Sequence, residues 1–345
     1  MAPSGWKESG TAMFRWLAKI LCALLPGAAF LGAQQQPPLI RTEVTLVHVV
    51  ATVKNQAGDL VGTLNKDDFE LFDNGVQQEI AFLSHTTDQP LSIALLVDTS
   101  GSTAKDLNYE LDCASRFLRA LLLDGNPEDA VNLYDFAYDI NEHSFTHSFV
   151  KLDRYLKELD RLTHGPHPEL GTSLWDAMYY ASRDLETRGG RKVIIVVTDG
   201  GDTTSQHDVH EALKAAQMAD AIVYPVVVLP ITSDAGRNTG GEHALTFMAQ
   251  GTGGRSFLPT GGAELDRTFN DIITELRTQY VLDFYPRKVP LTKDPYHKLE
   301  VRLKRPELRV SARNGYYGDA DGSSSDARVT VTPDRSAPVV KKKDR

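Results

Sequence analysis

The sequence predicts an α/β fold with a doubly wound, mostly parallel, Rossmann-like sheet, flanked by a small β-sandwich of N- and C-terminal strands. Three observations lead to this prediction. Four nearly continuous apolar runs in the middle of the chain are typical of parallel strands covered on both faces. Segments with one apolar stripe at the helical period lie between these runs. Stretches of alternating apolar and polar residues come before and after them, as expected for half-buried antiparallel strands.

The composition narrows the class of protein. The 345 residues are long enough for one large domain or two to three ordinary ones. Hydrophobic residues make up 41% and charged residues 24%, values typical of a globular protein. The net charge of −9 repels a phosphate backbone, so we expect no nucleic acid partner.

Residues 1–33 predict a secretory signal peptide. Lys7, Arg15 and Lys19 precede a run of 14 mostly apolar residues, 20–33, which ends in small residues. This run is shorter than the roughly 20 residues that span a bilayer, so we expect cleavage after Ala33. Cleavage would change the net charge to −9 − 2 = −11, because three bases and one acid are removed. We expect a periplasmic or secreted protein, for which an uncleaved signal would be the membrane anchor.

The first predicted strands follow a linker at residues 34–39. The stretch 40–53 is rich in Val, Leu and Thr and predicts a long strand. A hairpin is predicted next, from Phe69 through the tight turn Asn74-Gly75 to Ile80 and Phe82. Residues 40–88 therefore form a predicted N-terminal β unit.

The α/β domain is predicted at residues 91–278. Its apolar runs are 92–97, 131–136, 192–197 and 221–229, and its helical stripes begin at Leu107, Leu152, Leu174 and Leu265. Alternation returns at residues 279–317, and we expect these strands to pack with the N-terminal β unit as one β-sandwich. The last residues, 318–345, are rich in Ser, Asp, Pro and Lys and are predicted to be disordered.

Oxygen-bearing side chains follow the ends of two predicted strands. Asp98, Ser100 and Ser102 stand at alternate positions directly after the first strand, and Asp199 follows a later one. Thr172 lies just before a predicted helix and supplies a further hydroxyl. All five are hard oxygen ligands, which favour Mg²⁺, or Mn²⁺ where available, over Zn²⁺. The carboxyl ends of parallel strands are also where open α/β sheets bind ligands.

These five residues, in this order, resemble the metal-ion-dependent adhesion site of the von Willebrand factor type A domain, over about residues 91–278. The flanking motifs resemble the bacterial VWFA-related family. They are Asp-Asp-Phe-Glu-Leu-Phe-Asp-Asn-Gly at 67–75, Gln-Tyr-Val-Leu-Asp-Phe-Tyr at 279–285 and Asn-Gly-Tyr-Tyr at 314–317. The resemblance implies a non-enzymatic module whose bound ion captures an Asp or Glu residue of a partner protein.

Two alternatives stay open at this point. A Mg²⁺-dependent phosphohydrolase also places an Asp after its first strand, but it needs a carboxylate two residues later, where this chain has Ser100, and a catalytic Lys without a clear candidate here. A serine hydrolase motif, Gly-x-Ser-x-Gly, is absent from the sequence. The other alternative is an assembly scaffold in which the metal only stabilises the fold.

Simpler interpretations apply to other residues. Single hydroxyls before helices are usually caps. Asp202 is expected in a solvated loop or on the acidic rim of the site. The close histidine pairs 143/147, 164/167 and 207/210 lack further ligands for zinc. The glycine clusters at 240–241 and 251–254 are interpreted as turns, and Cys113 as a small, partly buried apolar residue.

Overall fold

The computed structural model describes residues 46–85, 89–103, 107–163, 171–228, 238–289 and 295–318. The predicted signal peptide, the linker and residues 319–345 of the predicted tail lie outside the described residues, as do residues 40–45 of the first predicted strand. None of the helices in the described part is long and apolar enough to cross a membrane.

Thirteen strands and six α-helices make up the described part of the chain. The strands are β1 Val47–Lys54, β2 Phe69–Asp73, β3 Val76–Gln78, β4 Ile80–His85, β5 Leu91–Asp98, β6 Ala130–Phe136, β7 Ile140–Glu142, β8 Arg191–Thr198, β9 Ala221–Val227, β10 Tyr280–Phe284, β11 Tyr296–Leu303, β12 Arg309–Ala312 and β13 Gly315–Tyr317. The helices are α1 Leu107–Leu123, α2 Phe149–Thr163, α3 Leu174–Glu186, α4 Val209–Met218, α5 Thr239–Thr252 and α6 Gly262–Thr278. A 3₁₀ turn spans Lys66–Asp68.

The central sheet is mixed and has the strand order β7-β6-β5-β8-β9. Its β5–β6, β5–β8 and β8–β9 pairings are parallel, and the short edge strand β7 pairs antiparallel with β6. Successive side chains on a strand point to opposite faces. Leu95 accordingly packs in a cluster with α1, α2 and α6, and Leu96 packs in another with α3, α4 and α5. This two-sided burial explains the continuous apolar runs in the sequence.

Two four-stranded sheets flank this domain in sequence, with the orders β12-β1-β10-β4 and β13-β11-β2-β3. Both contribute to one cluster of buried residues, which includes Val49, Leu71, Leu282 and Leu299. N-terminal and C-terminal strands therefore share a single hydrophobic core.

The structure corrects the predicted second hairpin. Asn74 and Gly75 form the expected turn, both with positive φ, at 48° and 80°, as a tight hairpin requires. The partner of β2 is β3, however. Ile80 and Phe82 belong to β4, which pairs with β10 in the other sheet. The chain therefore changes sheets between β3 and β4, and Ile80 is buried in the core that the two sheets share.

The glycine clusters also differ from the sequence interpretation. The pair at 240–241 lies in the first turn of α5, where the Asn238 side chain caps the helix by accepting from the Gly241 N–H at 3.0 Å. Gly251 lies in the last turn of the same helix. Gly253 ends the helix in the left-handed conformation, φ 86°, which glycine adopts without strain.

Candidate metal centre

The sheet topology places Asp98 and Asp199 at the same edge. Asp98 ends β5, and Asp199 directly follows the last residue of β8. These strands are adjacent and parallel, with Val97 opposite Val197. Neighbouring strands lie about 4.8 Å apart, so the two acidic residues begin neighbouring loops at the carboxyl ends of the strands.

Asp98 is a fully buried carboxylate, with 0% of its surface exposed. One oxygen accepts the Ser100 N–H at 2.9 Å, and the other accepts the Thr198 hydroxyl at 2.6 Å. The pKa of Asp98 is raised to about 6: burial raises it most and the charge of Asp199 adds to this, against the hydrogen bonds from Ser100 and Thr198, which lower it. Among the described residues no Lys or Arg forms an ion pair with Asp98 or Asp199. The negative charges of Asp98 and Asp199 are therefore not balanced by a positively charged side chain among the described residues.

The two serines of the first loop converge beside Asp98. The Ser100 and Ser102 hydroxyl oxygens are 3.1 Å apart. The loop is held by Thr103, whose hydroxyl donates to the carbonyl oxygens of Asp98 at 2.9 Å and Ser100 at 3.0 Å. The sequence does not reveal the role of Thr103, because a hydroxyl that bonds only to its own loop has no distinctive spacing.

Asp199 lies in a turn shaped by the glycine that follows it. Gly200 has φ 84°, in the left-handed region, and its N–H donates to the Thr198 hydroxyl at 3.0 Å. An Asp199 oxygen accepts the Gly201 N–H at 2.9 Å. Thr198 thus bonds to both acidic loops, a role that the sequence pattern did not reveal because Thr198 is also an ordinary strand residue.

Thr172 is tied by its backbone to the loop that follows Asp199. Its N–H donates to the Thr203 hydroxyl at 2.9 Å, and its carbonyl oxygen accepts the N–H groups of Thr203 and Thr204 at 2.8 and 3.1 Å. Thr172 is buried, and its hydroxyl has no hydrogen-bond partner within the described residues. This hydroxyl is thus available as a ligand.

The donor set fits a hard divalent cation. It comprises two carboxylates and three neutral hydroxyls, and one of the carboxylates is buried without a cationic partner. Oxygen ligands of this kind suit Mg²⁺ or Mn²⁺. The residues that could hold such an ion are Asp98, Ser100, Ser102, Thr172 and Asp199.

The histidine pairs do not form a zinc site in the described part of the chain, where no group of three or more His, Cys, Asp or Glu residues is placed to hold a metal. His143 lies 3.4 Å from an Asp135 oxygen, and His147 bonds to the Asp129 carbonyl. His207 bonds to Asp176. His164 and His167 lie outside the described residues.

Asp202 differs from the sequence expectation of a solvated or rim carboxylate. One oxygen accepts the N–H groups of Leu174 and Trp175, at 2.9 and 3.3 Å, at the start of α3. The same oxygen accepts the Ser205 hydroxyl at 2.5 Å. Asp202 is therefore a helix cap supplied from a neighbouring loop.

Comparison with known proteins gives a family match and several similar folds. The family model of the von Willebrand factor type A domain matches residues 92–269. A comparison of the sequence with curated proteins gave no significant match.

Three solved structures match this chain in part. The conserved hypothetical protein BatB from Bacteroides thetaiotaomicron is 19% identical, with a TM-score of 0.43, and the match covers 54% of this chain and 98% of that one. The vWF domain of the type V pili tip protein Mfa5 from Porphyromonas gingivalis is 14% identical, with a TM-score of 0.43 and coverages of 54% and 95%. The pilus adhesin SpaC from Lactobacillus rhamnosus GG is 11% identical, with a TM-score of 0.45 and coverages of 73% and 47%.

The family model matches just over half of the 345 residues, from the second residue of β5 through the rest of the central sheet and into the first half of α6. The matched segment also contains all five candidate ligands. The chain belongs to the von Willebrand factor type A domain family.

Proposed function

We propose that this chain is an exported, non-enzymatic protein-binding module that captures an acidic residue of a partner protein through a Mg²⁺-type ion. The ion would be held by Asp98, Ser100, Ser102, Thr172 and Asp199. The observation that carries the proposal is the buried Asp98 carboxylate, which lies beside two converging hydroxyls and has no cationic partner among the described residues. Membership of the type A domain family supports a role in protein interaction.

The charges of the candidate ligands decide which partner they favour. Ser100, Ser102 and Thr172 are neutral, so only Asp98 and Asp199 offset cationic charge. If Asp199 acts through water, Asp98 alone offsets charge by direct contact. When bound, a divalent ion supplies the remaining positive charge and an open position that an Asp or Glu carboxylate can fill.

The architecture supports the finer form of the predicted fold. We infer that the central sheet is doubly wound, since separate helix sets pack against its two faces. We also infer that the two four-stranded sheets form the β-sandwich, since they share one core. In this arrangement Asp98 and Asp199 lie at the carboxyl ends of neighbouring strands of the central sheet.

The test compares Asp98→Ala with Asp135→Ala. Asp135 is also a buried carboxylate near the end of a central strand, but it bonds to Asn141 and is not among the five candidate ligands. Partner capture from envelope extracts is measured with Mg²⁺ and with excess chelator. We expect capture by the unchanged chain in Mg²⁺, loss of capture in chelator, and loss in Asp98→Ala but not in Asp135→Ala.

Other outcomes separate the alternative functions. Capture that persists in chelator, with a lower melting temperature, would favour a scaffold with a purely structural metal. Hydrolysis of p-nitrophenyl phosphate that Asp98→Asn abolishes would favour the phosphohydrolase. Circular dichroism of each variant verifies that it is folded.

A further inference from the structure

The loop after β8 is joined to the start of α3 by three sets of hydrogen bonds. The first is the Asp202 cap on Leu174 and Trp175. Ser173, which occupies the usual capping position of α3, makes no side-chain bond to the helix. Asp202 therefore replaces the residue that would ordinarily cap this helix, although it lies 28 positions further along the chain from Leu174.

The second set of bonds lies directly beside the cap and involves Thr172. Thr203 bonds to both the N–H and the carbonyl oxygen of Thr172, and Thr204 also donates to that carbonyl. The Thr204 hydroxyl lies 2.8 Å from the Ser173 hydroxyl. Together these bonds fix the backbone position of Thr172, which supplies the third candidate hydroxyl.

The third set of bonds secures the far end of the loop. Asp176, which is buried in the first turn of α3, accepts the N–H groups of Gln206 and His207 at 2.9 and 2.8 Å. The Asp176 N–H donates to Ser205 at 3.1 Å. The segments 202–207 and 172–176 are therefore bonded along their whole length.

These contacts matter because Thr172 is not on the strands that carry the two candidate carboxylates. Asp98 and Asp199 are aligned by the pairing of β5 with β8. Thr172 precedes α3 and reaches the Asp199 loop through the bonds just described. The relative position of Thr172 and Asp199 thus depends on the hydrogen bonds of their two segments.

We propose that Asp202 is a positioning residue of the metal centre: by capping α3 it holds Thr172 against the loop that follows Asp199, where Thr172 would serve as a Mg²⁺ ligand. The oxygen of Asp202 that faces α3 already accepts three hydrogen bonds, so it acts on the helix and not on the ion. This inference deepens the proposed function and rests on it.

The chain offers a matched control at Asp208. Its carboxylate caps α4 in the same way, by accepting the N–H groups of His210 and Glu211 at 2.8 and 2.9 Å. The helix α4 carries none of the five candidate ligands. Asp208→Ala therefore removes a comparable helix cap that makes none of the hydrogen bonds on Thr172.

The experiment is isothermal titration calorimetry of MgCl₂ into the full chain and into Asp202→Ala, Asp202→Asn and Asp208→Ala. Melting temperatures are measured by circular dichroism, and each titration is run well below melting. We expect Asp202→Ala to weaken Mg²⁺ binding about tenfold or more, as is typical when a group that orients a ligand is removed. Asp208→Ala should lower the melting temperature but leave Mg²⁺ affinity unchanged. Asp202→Asn keeps an oxygen acceptor and should retain affinity within about threefold.

Two results would overturn the positioning role. Wild-type affinity in folded Asp202→Ala would show that the cap is irrelevant to the site. Equal loss in the Ala and Asn variants would show that the negative charge is needed, which would make Asp202 a ligand.

Failure of the proposed function is distinguishable from failure of this inference. If the Mg²⁺ affinities follow the expected order but partner capture is insensitive to chelator, the positioning role stands and the capture function fails. If the unchanged chain does not bind Mg²⁺, both are overturned.

Discussion

Tyr138 is an exposed aromatic residue beside the segment that carries Thr172. Its carbonyl oxygen accepts the Ser173 hydroxyl at 3.0 Å, and the Ala137 carbonyl accepts the Ser173 N–H at 2.7 Å. A side chain at Gly171 would contact the tyrosine ring, with its Cβ 3.4 Å from a ring carbon. The ring is nevertheless 59% exposed. We expect a partner bound at the candidate metal centre to contact this ring, since Tyr138 lies beside Gly171 and Ser173, and tyrosine is among the residues that contribute most at interfaces.

We expect Tyr138→Ala to weaken binding of the acidic partner by about 1 to 2 kcal/mol without changing Mg²⁺ affinity. The reason is that the ring borders the candidate centre but supplies no ligand to it. Calorimetry with partner and with MgCl₂ measures the two effects separately. Phe82→Ala is the control, because Phe82 is similarly exposed, at 57%, but lies on β4, outside the central sheet. Equal weakening by both variants would contradict a specific role for Tyr138.

The positions of Asp98 and Asp199 at strand ends could be predicted from the sequence, whereas the residues that bond to their loops could not. Asp98 and Asp199 directly follow long apolar runs, so the local sequence indicates that they lie at strand ends. Asp202 caps a helix that begins 28 positions earlier, and Thr198 bonds to a carboxylate 100 positions earlier. Such bonds depend on the packing of distant segments, and no local spacing indicates them.

The first turn of α5 lies in close contact with the Asp199 loop. The Asn238 side chain both caps the helix and donates to the Gly200 carbonyl at 2.8 Å. A Cβ atom at Gly241 would lie 1.9 Å from the Gly200 carbonyl oxygen. This backbone contact can exist only because position 241 has no side chain.

We expect Gly241→Ala to destabilise the protein by about 1 to 3 kcal/mol, because the helix must move away from the loop backbone. Urea unfolding measures this change. Gly240→Ala is the matched control in the same turn, where the added Cβ finds its nearest atom at 3.7 Å. That variant should be neutral or stabilising by up to about 1 kcal/mol, since alanine favours a helix. Similar destabilisation by both variants would show that the contact with Gly200 is not the cause.

Long periodic elements were predictable, and short or glycine-rich ones were not. Helices α1, α2, α3 and α6 show their apolar stripes in the sequence. The first turn of α5 contains two glycines and is fixed by the Asn238 cap and by contact with the Gly200 loop. Strand β7 has only three residues, and none of them is buried, so it has no apolar pattern to detect.

A largely buried polar network joins the central domain to the four-stranded sheet that contains β1. Glu275 of α6 accepts Lys54 of β1 at 2.8 Å, Arg255 at 2.9 Å and the Tyr224 hydroxyl of β9 at 3.1 Å. Gln279, between α6 and β10, donates to the Thr52 hydroxyl of β1 at 2.8 Å. The same network reaches Arg191, the first residue of β8, which bonds to Gln279. It therefore lies at the opposite end of β8 from Asp199.

The sequence predicts that the N-terminal and C-terminal strands pack together, because strands with one apolar face must bury that face against each other. The pairing partner of each strand could not be predicted from the sequence. The pairing of β4 with β10 joins segments about 200 positions apart, and the sequence gives no register between them. The polar network was also hidden, because Glu275 and Lys54 are residue types that usually lie on the surface.

We expect Glu275→Ala to destabilise the whole chain by about 1 to 3 kcal/mol, because the partly buried Lys54 ammonium and the buried Tyr224 hydroxyl lose this acceptor, whereas Arg255 is 40% exposed and has Asp271 nearby. The Glu275 side chain is only 3% exposed. Urea unfolding measures the loss, and Glu300→Ala is the control, since the Glu300–Arg302 pair lies on the surface and should contribute nothing measurable. Mg²⁺ affinity of folded Glu275→Ala should stay unchanged, because the network and the candidate ligands lie at opposite ends of β8. Loss of Mg²⁺ binding in folded Glu275→Ala would show instead that the polar network around Glu275 influences the metal centre.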